Sequence, residues 1–504
     1  MTRMKSVHLF IALCILSCYS PVALPQGQTT GAIQGSVFEA GTSRPIPGVI
    51  ITVTNEDTGL ERTTVTDNNG TYTINTLPPG FYTIKASASG YQTDSITRFP
   101  VRLSKVNTIT PPPFALSKAG AAPQQQQAPV ASGEESQVEQ LVNTVNATRS
   151  ENFDSRQLVS LPLPSTRTFD DLAFLAPGVA PPPETIGVTV GPGIGPGVGT
   201  AGHFSINGLR SRSINFTIDG SDNNDPDIGT RRQGFITLIP QSIESIQEFQ
   251  ISTLLWDAEF GRNLGGQVNA VTKAGGNSVR GQAHGFFTDS DLNARNFFDY
   301  TGGPSGGENP FTRTQAGFII GGPIVENRTQ FFGSYEFINI RSSVEQHFAT
   351  PTARARTVLN QDLLFRTFER TDGSTGVFVF PGATPLGLNI FSLYPLPNNP
   401  GGPFGPNTYS EVLPADGEGH IASFRLTQQI TPDNTLNARY NFTDDERILP
   451  SINQALRSTI GSDSRTQNLS IILDSALSPR LFNQARFSYG RTRLEFPEYP
   501  GNPL

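Results

Sequence analysis

Cysteine is nearly missing from this chain: the only two, Cys14 and Cys18, sit in its first segment. A chain cut after Cys18 has no thiol, which excludes a disulfide framework and a cysteine nucleophile alike. The five histidines, His8, His203, His284, His347 and His420, are scattered singly. Neither a metal cluster nor a histidine-based triad therefore has local support. Charged residues make up only 16% and the net charge is −7, so there is no basic footprint and no nucleic-acid partner is expected. Past the N-terminal segment no apolar run approaches the roughly 20 residues of a membrane helix.

Turn-forming residues are plentiful instead. Gly 50 and Pro 40 in 504 residues, with Phe at 34, describe a turn-rich, mainly β chain long enough for several domains. The N-terminus MTRMKSVHLFIALCILSCYS places Arg3 and Lys5 before an apolar run from Val7 to Leu16, the order of a signal peptide. We assign it residues 1–27, with Ile15-Leu16-Ser17-Cys18 faintly like a lipoprotein cleavage box.

Residues 31–117 alternate strand-like and turn-like stretches. Val49, Ile51 and Val53 share one face, DNNG (Asp67–Gly70) supplies a hairpin turn, and Leu77-Pro78-Pro79-Gly80 another reversal. This predicts a small β-sandwich. The stretch resembles the carboxypeptidase-regulatory-like domain, which is similar to transthyretin and carbohydrate-binding folds. No histidine lies in it, so no peptidase zinc site is expected, and a binding or spacer module is. Residues 118–136, including AGAAPQQQQAPVASGEES, read as a linker.

The glycine-rich stretch EFGRNLGGQVNAVTKAGGN (Glu259–Asn277) raises a nucleotide-binding reading that fails on inspection. Gly261 and Gly266 have P-loop spacing, but Gln267 and Val268 stand where lysine and hydroxyl are needed, and a strand-like run follows. A strand framed by glycine turns fits better. Across residues 137–277 the order SINGLR, FTIDG, IPQSIESIQEF, EFGRNLGGQVNAVTKAGGN resembles the plug domain of outer-membrane TonB-dependent receptors that carry an N-terminal regulatory-like domain. The resemblance departs at Trp256-Asp257-Ala258 and in the glycine-proline stretch GVTVGPGIGPGVGTAG. It carries a structural signature onto Gly208, Arg210, Asp219, Gly220, Arg262, Gly266, Asn269 and Lys273. It also implies a short energy-coupling peptide near the linker, with Gln137–Val142 the candidate, though no clear motif marks it.

If the resemblance holds, residues 278–504 should alternate as outer-membrane strands do. In TLNARYNFT, Leu436, Ala438, Tyr440 and Phe442 share one face, opposite Asn437, Arg439 and Asn441. Ile421–Thr427 alternates likewise, and Pro432-Asp433 lies in the short connection between the two. The polar segment from Arg341 to Gly419 reads as a long extracellular loop. About seven strands are expected here, against the ~22 of a plugged transporter barrel, and the chain ends at GNPL without a terminal aromatic strand. On that count it reads as C-terminally truncated.

The acid run Asp219, Asp222, Asp225, Asp227 lacks calcium-loop order and reads as a solvated apical loop. Arg210, Arg212, Arg231 and Arg232 read as solvent-facing, with an anion-attracting pore surface as the other reading. The expectation is a mainly β chain of N-terminal β-sandwich (carboxypeptidase regulatory-like, carbohydrate-binding-like), α+β plug and partial antiparallel transmembrane β-barrel. The resemblance implies a non-enzymatic receptor in the cell outer membrane that imports a small-molecule or oligosaccharide ligand. It further implies a TonB-type inner-membrane energy-transducing complex and outer-membrane lipid as partners. No catalytic, cofactor or metal residue is expected. The alternative is a secreted β-modular adhesin or scaffold without a pore.

Overall fold

The computed structural model describes residues 29–42, 44–109, 114–118, 148–161, 167, 169–180, 204–209, 213–224, 241–254, 261, 264–295, 301–359, 363–381, 384–450, 456, 458–478 and 481–498. The signal peptide, Gln137–Val142, GVTVGPGIGPGVGTAG, Arg210, Arg212, Asp225, Asp227, Arg231, Arg232, Arg262 and the terminal GNPL lie outside the described residues.

The alternation of the first unit becomes two sheets around one core. Its strands are β1 (Gly31–Glu39), β2 (Ile50–Asn55), β3 (Glu61–Val65), β4 (Thr71–Leu77), β5 (Gly80–Ser87), β6 (Asp94–Val101), β7 (Val106–Thr108) and β8 (Phe114–Leu116). One sheet runs β4-β1-β7 with β8 also on β1, the other β3-β2-β5-β6. Val49, Ile51 and Val53 are buried together with Ile33, Val37, Tyr72 and Ile84, as their shared face requires. The Asp67 carboxylate accepts from the Asn69 and Thr71 amides, and Gly70 takes φ +70°, which closes the expected DNNG turn.

The second unit is built on β9 (Arg149–Asp154), β10 (Val179–Ala180), β11 (Ser205–Ile206), β12 (Ile214–Ile218), β13 (Ser221–Asp222), β14 (Ile246–Leu254) and β15 (Gly266–Thr272). Five of them form a sheet of order β13-β12-β15-β14-β9, in which β12 and β15 run parallel. A 3-10 helix, Phe169–Leu175, precedes Pro177-Gly178. Alternate residues of the sheet, Ile214, Phe216, Ile218, Phe249, Ile251, Val268 and Ala270, enter one apolar core. Its other face carries Asn215, Thr217, Gln267 and Asn269, linked by side-chain hydrogen bonds that satisfy buried amides.

The third unit comprises β16 (Arg280–Asp289), β17 (Phe311–Val325), β18 (Thr329–Ala349), β19 (Leu363–Glu369), β20 (Thr375–Pro381), β21 (Thr408–Pro414), β22 (Gly417–Thr431), β23 (Asn434–Leu449), β24 (Ile460–Ser478) and β25 (Leu481–Glu495). An antiparallel wall runs β16-β17-β18-β22-β23-β24-β25, with β21 also on β18. Its polarity is inverted relative to a water-soluble sheet. On β23, Arg439, Asn441, Thr443 and Asp445 are buried while Tyr440 is exposed; Phe424, Phe487 and Tyr489 stand out on the same outer face. A polar inner and apolar outer face is the pattern of a transmembrane barrel wall.

The connections differ at the two ends of this wall. β17–β18, β22–β23 and β24–β25 close within a few residues at one end, their ladders extending to Val325↔Thr329, Thr431↔Asn434 and Ser478↔Leu481. The connections at the other end are long. There the single irregular loop expected from Arg341 to Gly419 is not what forms. β18 continues to Ala349, β21 pairs with it, β19 and β20 make a hairpin, and helices cover Ala353–Leu359 and Pro385–Leu393. The inward positions of that β18 extension are Ser342, Val344, Gln346 and Phe348. Polar and apolar residues are mixed on that face, so no apolar period marked the strand.

Candidate functional site at the plug–wall junction

FTIDG ends β12 in a two-residue turn with Asp219 at φ +45° and Gly220 at φ +73°, the doubly left-handed geometry that Asp-Gly favours in hairpins. The turn points the Asp219 carboxylate at β15 and at the wall. Thr272 donates to it twice, from its amide at 2.8 Å and its hydroxyl at 2.7 Å. Arg439 Nη1 lies 2.5 Å from Oδ2, and Arg425 Nη1 3.9 Å from Oδ1. Arg425 also donates to the Thr272 carbonyl at 2.9 Å, and Arg439 to Asn468. Burial works to raise the Asp219 carboxyl, but the two arginines and Thr272 outweigh it and hold it below the usual carboxylate range. The solvated apical loop expected at this acid run is therefore corrected for Asp219. Asp219 is buried by β22 and β23 of the wall, and Asn223 and Asn224 are buried with it.

A second ionic group lies nearby. The turn Ile243–Ser245 presents Glu244, whose carboxylate meets Arg167 at 3.1 Å and His284 Nε2 at 3.6 Å; His284 Nε2 in turn is 3.0 Å from Glu336. Arg167 stacks on Phe286, 3.9 Å from the ring centroid. Lys273 is half-buried with its ammonium pushed down by burial, while Glu244 works the other way. Glu244, His284 and Glu336 have ligand atoms within 4.8 Å of one another, a donor set compatible with a transition-metal ion. Arg167 already pairs with Glu244, and His284 with Glu336, so the group reads as an ionic clasp. The histidines are isolated in sequence, and only strand pairing between β16, β17 and β18 brings His284 to Glu336.

Of the expected signature, Asp219, Gly220 and Lys273 lie at this junction, while Asn269 accepts from Thr217 on the polar face of the sheet. Gly208, φ +78°, turns the chain after β11. Gly266 opens β15 where a Cβ would meet Ser252 O at 2.9 Å and Ile206 Cδ1 at 2.5 Å. Arg210 and Arg262 lie outside the described residues. Sequence reasoning missed Glu244, His284 and Glu336. It set Arg439 on one face of its strand with Asn437 and Asn441 without naming what that face holds.

The close of the quoted glycine run is a further point of contact. A Cβ on Gly275 would stand 2.1 Å from the backbone oxygen of Phe331 on β18. Its φ is not left-handed, so the constraint is close approach alone. Gly275→Ala is expected to destabilise the folded chain by about 1–3 kcal/mol, because the obstacle is backbone and cannot swing aside. Denaturant midpoints in detergent would read this out, and an unchanged midpoint would contradict the packing.

Residues 271–503 match the family described as Outer membrane beta barrel domain, and residues 32–112 the Carboxypeptidase regulatory-like domain. The wall and these matches give the chain an outer-membrane β-barrel domain preceded by a carboxypeptidase-regulatory-like domain. Among curated proteins the chain is similar to the TonB-dependent transporter Oar of Myxococcus xanthus, 29% identical over 328 residues, covering 63% of this chain and 27% of that one. The chain thus spans about a quarter of the length of the curated relative it matches. Among solved structures it is similar to the outer membrane transporter YddB of Escherichia coli, at 14% identity and TM-score 0.42, covering 68% of this chain and 39% of that one. It is also similar to the siderophore receptor PirA of Pseudomonas aeruginosa, at 12% identity and TM-score 0.39, covering 69% and 41%.

Proposed function

We propose that this chain is the plug-bearing part of an outer-membrane importer. It takes in a small-molecule or oligosaccharide ligand when a TonB-type inner-membrane complex displaces the plug. One observation carries the reading. Among the described residues, each apolar core cluster stays within the sandwich, the plug or the wall, and none crosses between plug and wall. What joins plug to wall is ionic and hydrogen-bonded, centred on Asp219 with Arg439 and on Glu244 with His284. Such a contact can part into a wet lumen without exposing apolar surface, because water replaces each lost partner. The adhesin reading would need a wall with its polar face outward, opposite to the burial of Arg439, Asn441 and Thr443.

The test is uptake in cells with the gene deleted or restored, in backgrounds with and without the inner-membrane complex. Oligosaccharides as sole carbon source and ferric siderophores as sole iron source are the probes. Growth on one of them should need both the gene and the complex. Growth that ignores the complex would rule out energy coupling.

A further inference from the structure

The sandwich sits across the seam between plug and wall. On the plug side, the loop between β6 and β7 inserts its backbone. The Leu103 amide donates to both oxygens of Glu248 at 3.0 Å, and Asn152 donates to Glu248 and to the Leu103 carbonyl. Arg102 pairs with Asp154 at 2.9 Å, and Ser104 bonds Gln250. Burial pushes the Glu248 carboxyl up to about 7, against the Asn152 and Leu103 donors that favour its charged form. On the wall side, the sandwich hairpin at Asp57–Gly59 meets the end of the wall that carries the short turns. The amide of Asn277, in the connection from β15 into the wall, donates to Asp57 O at 2.8 Å, and in the wall itself Gln330 donates to Thr58 O at 3.2 Å and Pro432 O accepts from Arg62 at 2.6 Å. The fit there is close. A Cβ on Gly59 would lie 2.3 Å from Asn327 Oδ1, and one on Gly276 2.9 Å from Asp57 O.

Short turns mark the periplasmic rim of an outer-membrane barrel. The sandwich therefore bridges the element that must move and the wall that stays, on the side from which a periplasmic pull arrives. The geometry points to the sandwich as a cap that locks the plug to the periplasmic rim, released at Asp57–Arg62 on the wall and carried away with the plug. This rests on the importer reading and adds a gate to it. The wall contact is the release point because, among the described residues, its ion pair, Asp57 with Arg280 at 2.8 Å, has side chains 49% and 73% exposed and its buried Arg62 meets only neutral acceptors there, the Pro432 carbonyl and the Thr435 hydroxyl, whereas Leu103 and Glu248 are buried. Exposed pairs hold weakly, whereas buried hydrogen bonds are costly to leave unmade.

Paired cysteines in the full chain test this in living cells. Asp57→Cys with Arg280→Cys reports cap to wall, Ser104→Cys with Gln250→Cys cap to plug, and Thr272→Cys with Arg425→Cys plug to wall. Oxidative cross-linking is compared in energised cells and in cells treated with a protonophore, using only variants that keep wild-type heat-modifiable migration. The cap-to-wall yield should fall several-fold in energised cells and recover with protonophore, while the cap-to-plug yield stays constant. A falling plug-to-wall yield beneath an unchanged cap-to-wall yield would overturn the cap and leave the importer reading intact. A falling cap-to-plug yield would overturn the assigned release point. No change in any pair would remove plug displacement, and the cap with it.

Discussion

Arg439→Ala is expected to loosen the plug in its wall by about 3–5 kcal/mol, because it strands the buried Asp219 carboxylate. Arg425 at 3.9 Å remains and places the loss toward the lower end of that range. Hydrogen exchange reads the effect locally. The Thr272 amide, bonded to Asp219 Oδ1, should lose protection together with the rest of β12 and β15, while β24 and β25 keep theirs. If the two ends of the pair act as one unit, Asp219→Leu with Arg439→Leu should lose less than Arg439→Ala alone, since an apolar pair strands no charge. Acid gives an independent check. The folded Asp219 carboxyl lies below its ordinary value of about 3.9, so its contribution is present above that pH and is lost as pH falls through the lower folded value. Plug protection in the parent should therefore decline below about pH 4, and in Arg439→Ala that decline should be shallower. Equal acid profiles would mean that the pair does not hold the plug.

How much of this was readable in advance depends on whether chemistry contrasts across a strand. TLNARYNFT declared its two faces because lipid-facing and lumen-facing positions differ in kind, and Leu436, Tyr440 and Phe442 could not be confused with Asn437, Arg439 and Asn441. The extension of β18 through Ser342–Phe348 had no such contrast, since its covered positions are half polar, and it passed for loop. Asp219 was misread for a related reason. A run of acids looks solvated, and its partner Arg439 lies 220 residues away, so only the register of β22, β23 and β24 shows that the hairpin enters a polar wall. The Glu244–His284–Glu336 group was out of reach in the same way. Its members meet because β16 and β18 flank β17 with Gly317 between them, where a Cβ would crowd His284 Nε2 at 2.8 Å. Local motifs such as the Asp-Gly turn and the glycine-framed β15 were visible because their physics is local. Their anchors were not, because those are tertiary.

Phe424→Arg separates a membrane wall from a soluble β-sheet by the size of its effect. Phe424 is exposed, and its cross-strand partners are Gly333 on β18 and Tyr440 on β23. On the face of a water-soluble sandwich such a change lies within about 0.5 kcal/mol of neutral, since both side chains are hydrated before and after. In a bilayer the guanidinium must enter hydrocarbon, which costs about 2–4 kcal/mol at the midplane and little near the interfaces. Equilibrium unfolding in lipid vesicles measures the difference directly. Phe424→Arg is expected to cost about 2–4 kcal/mol if the side chain lies near mid-depth. The inner face supplies the contrast. Asn468 accepts from Arg439 inside the lumen, so Asn468→Asp keeps an acceptor in a polar setting and should be tolerated far better than a charge on the outer face. Near-neutral arginine substitutions in vesicles at Phe424, Phe318 and Tyr489 alike would mean that this outer face does not meet lipid, and the apolar band from Phe424 to Tyr489 would then need a protein partner to cover it.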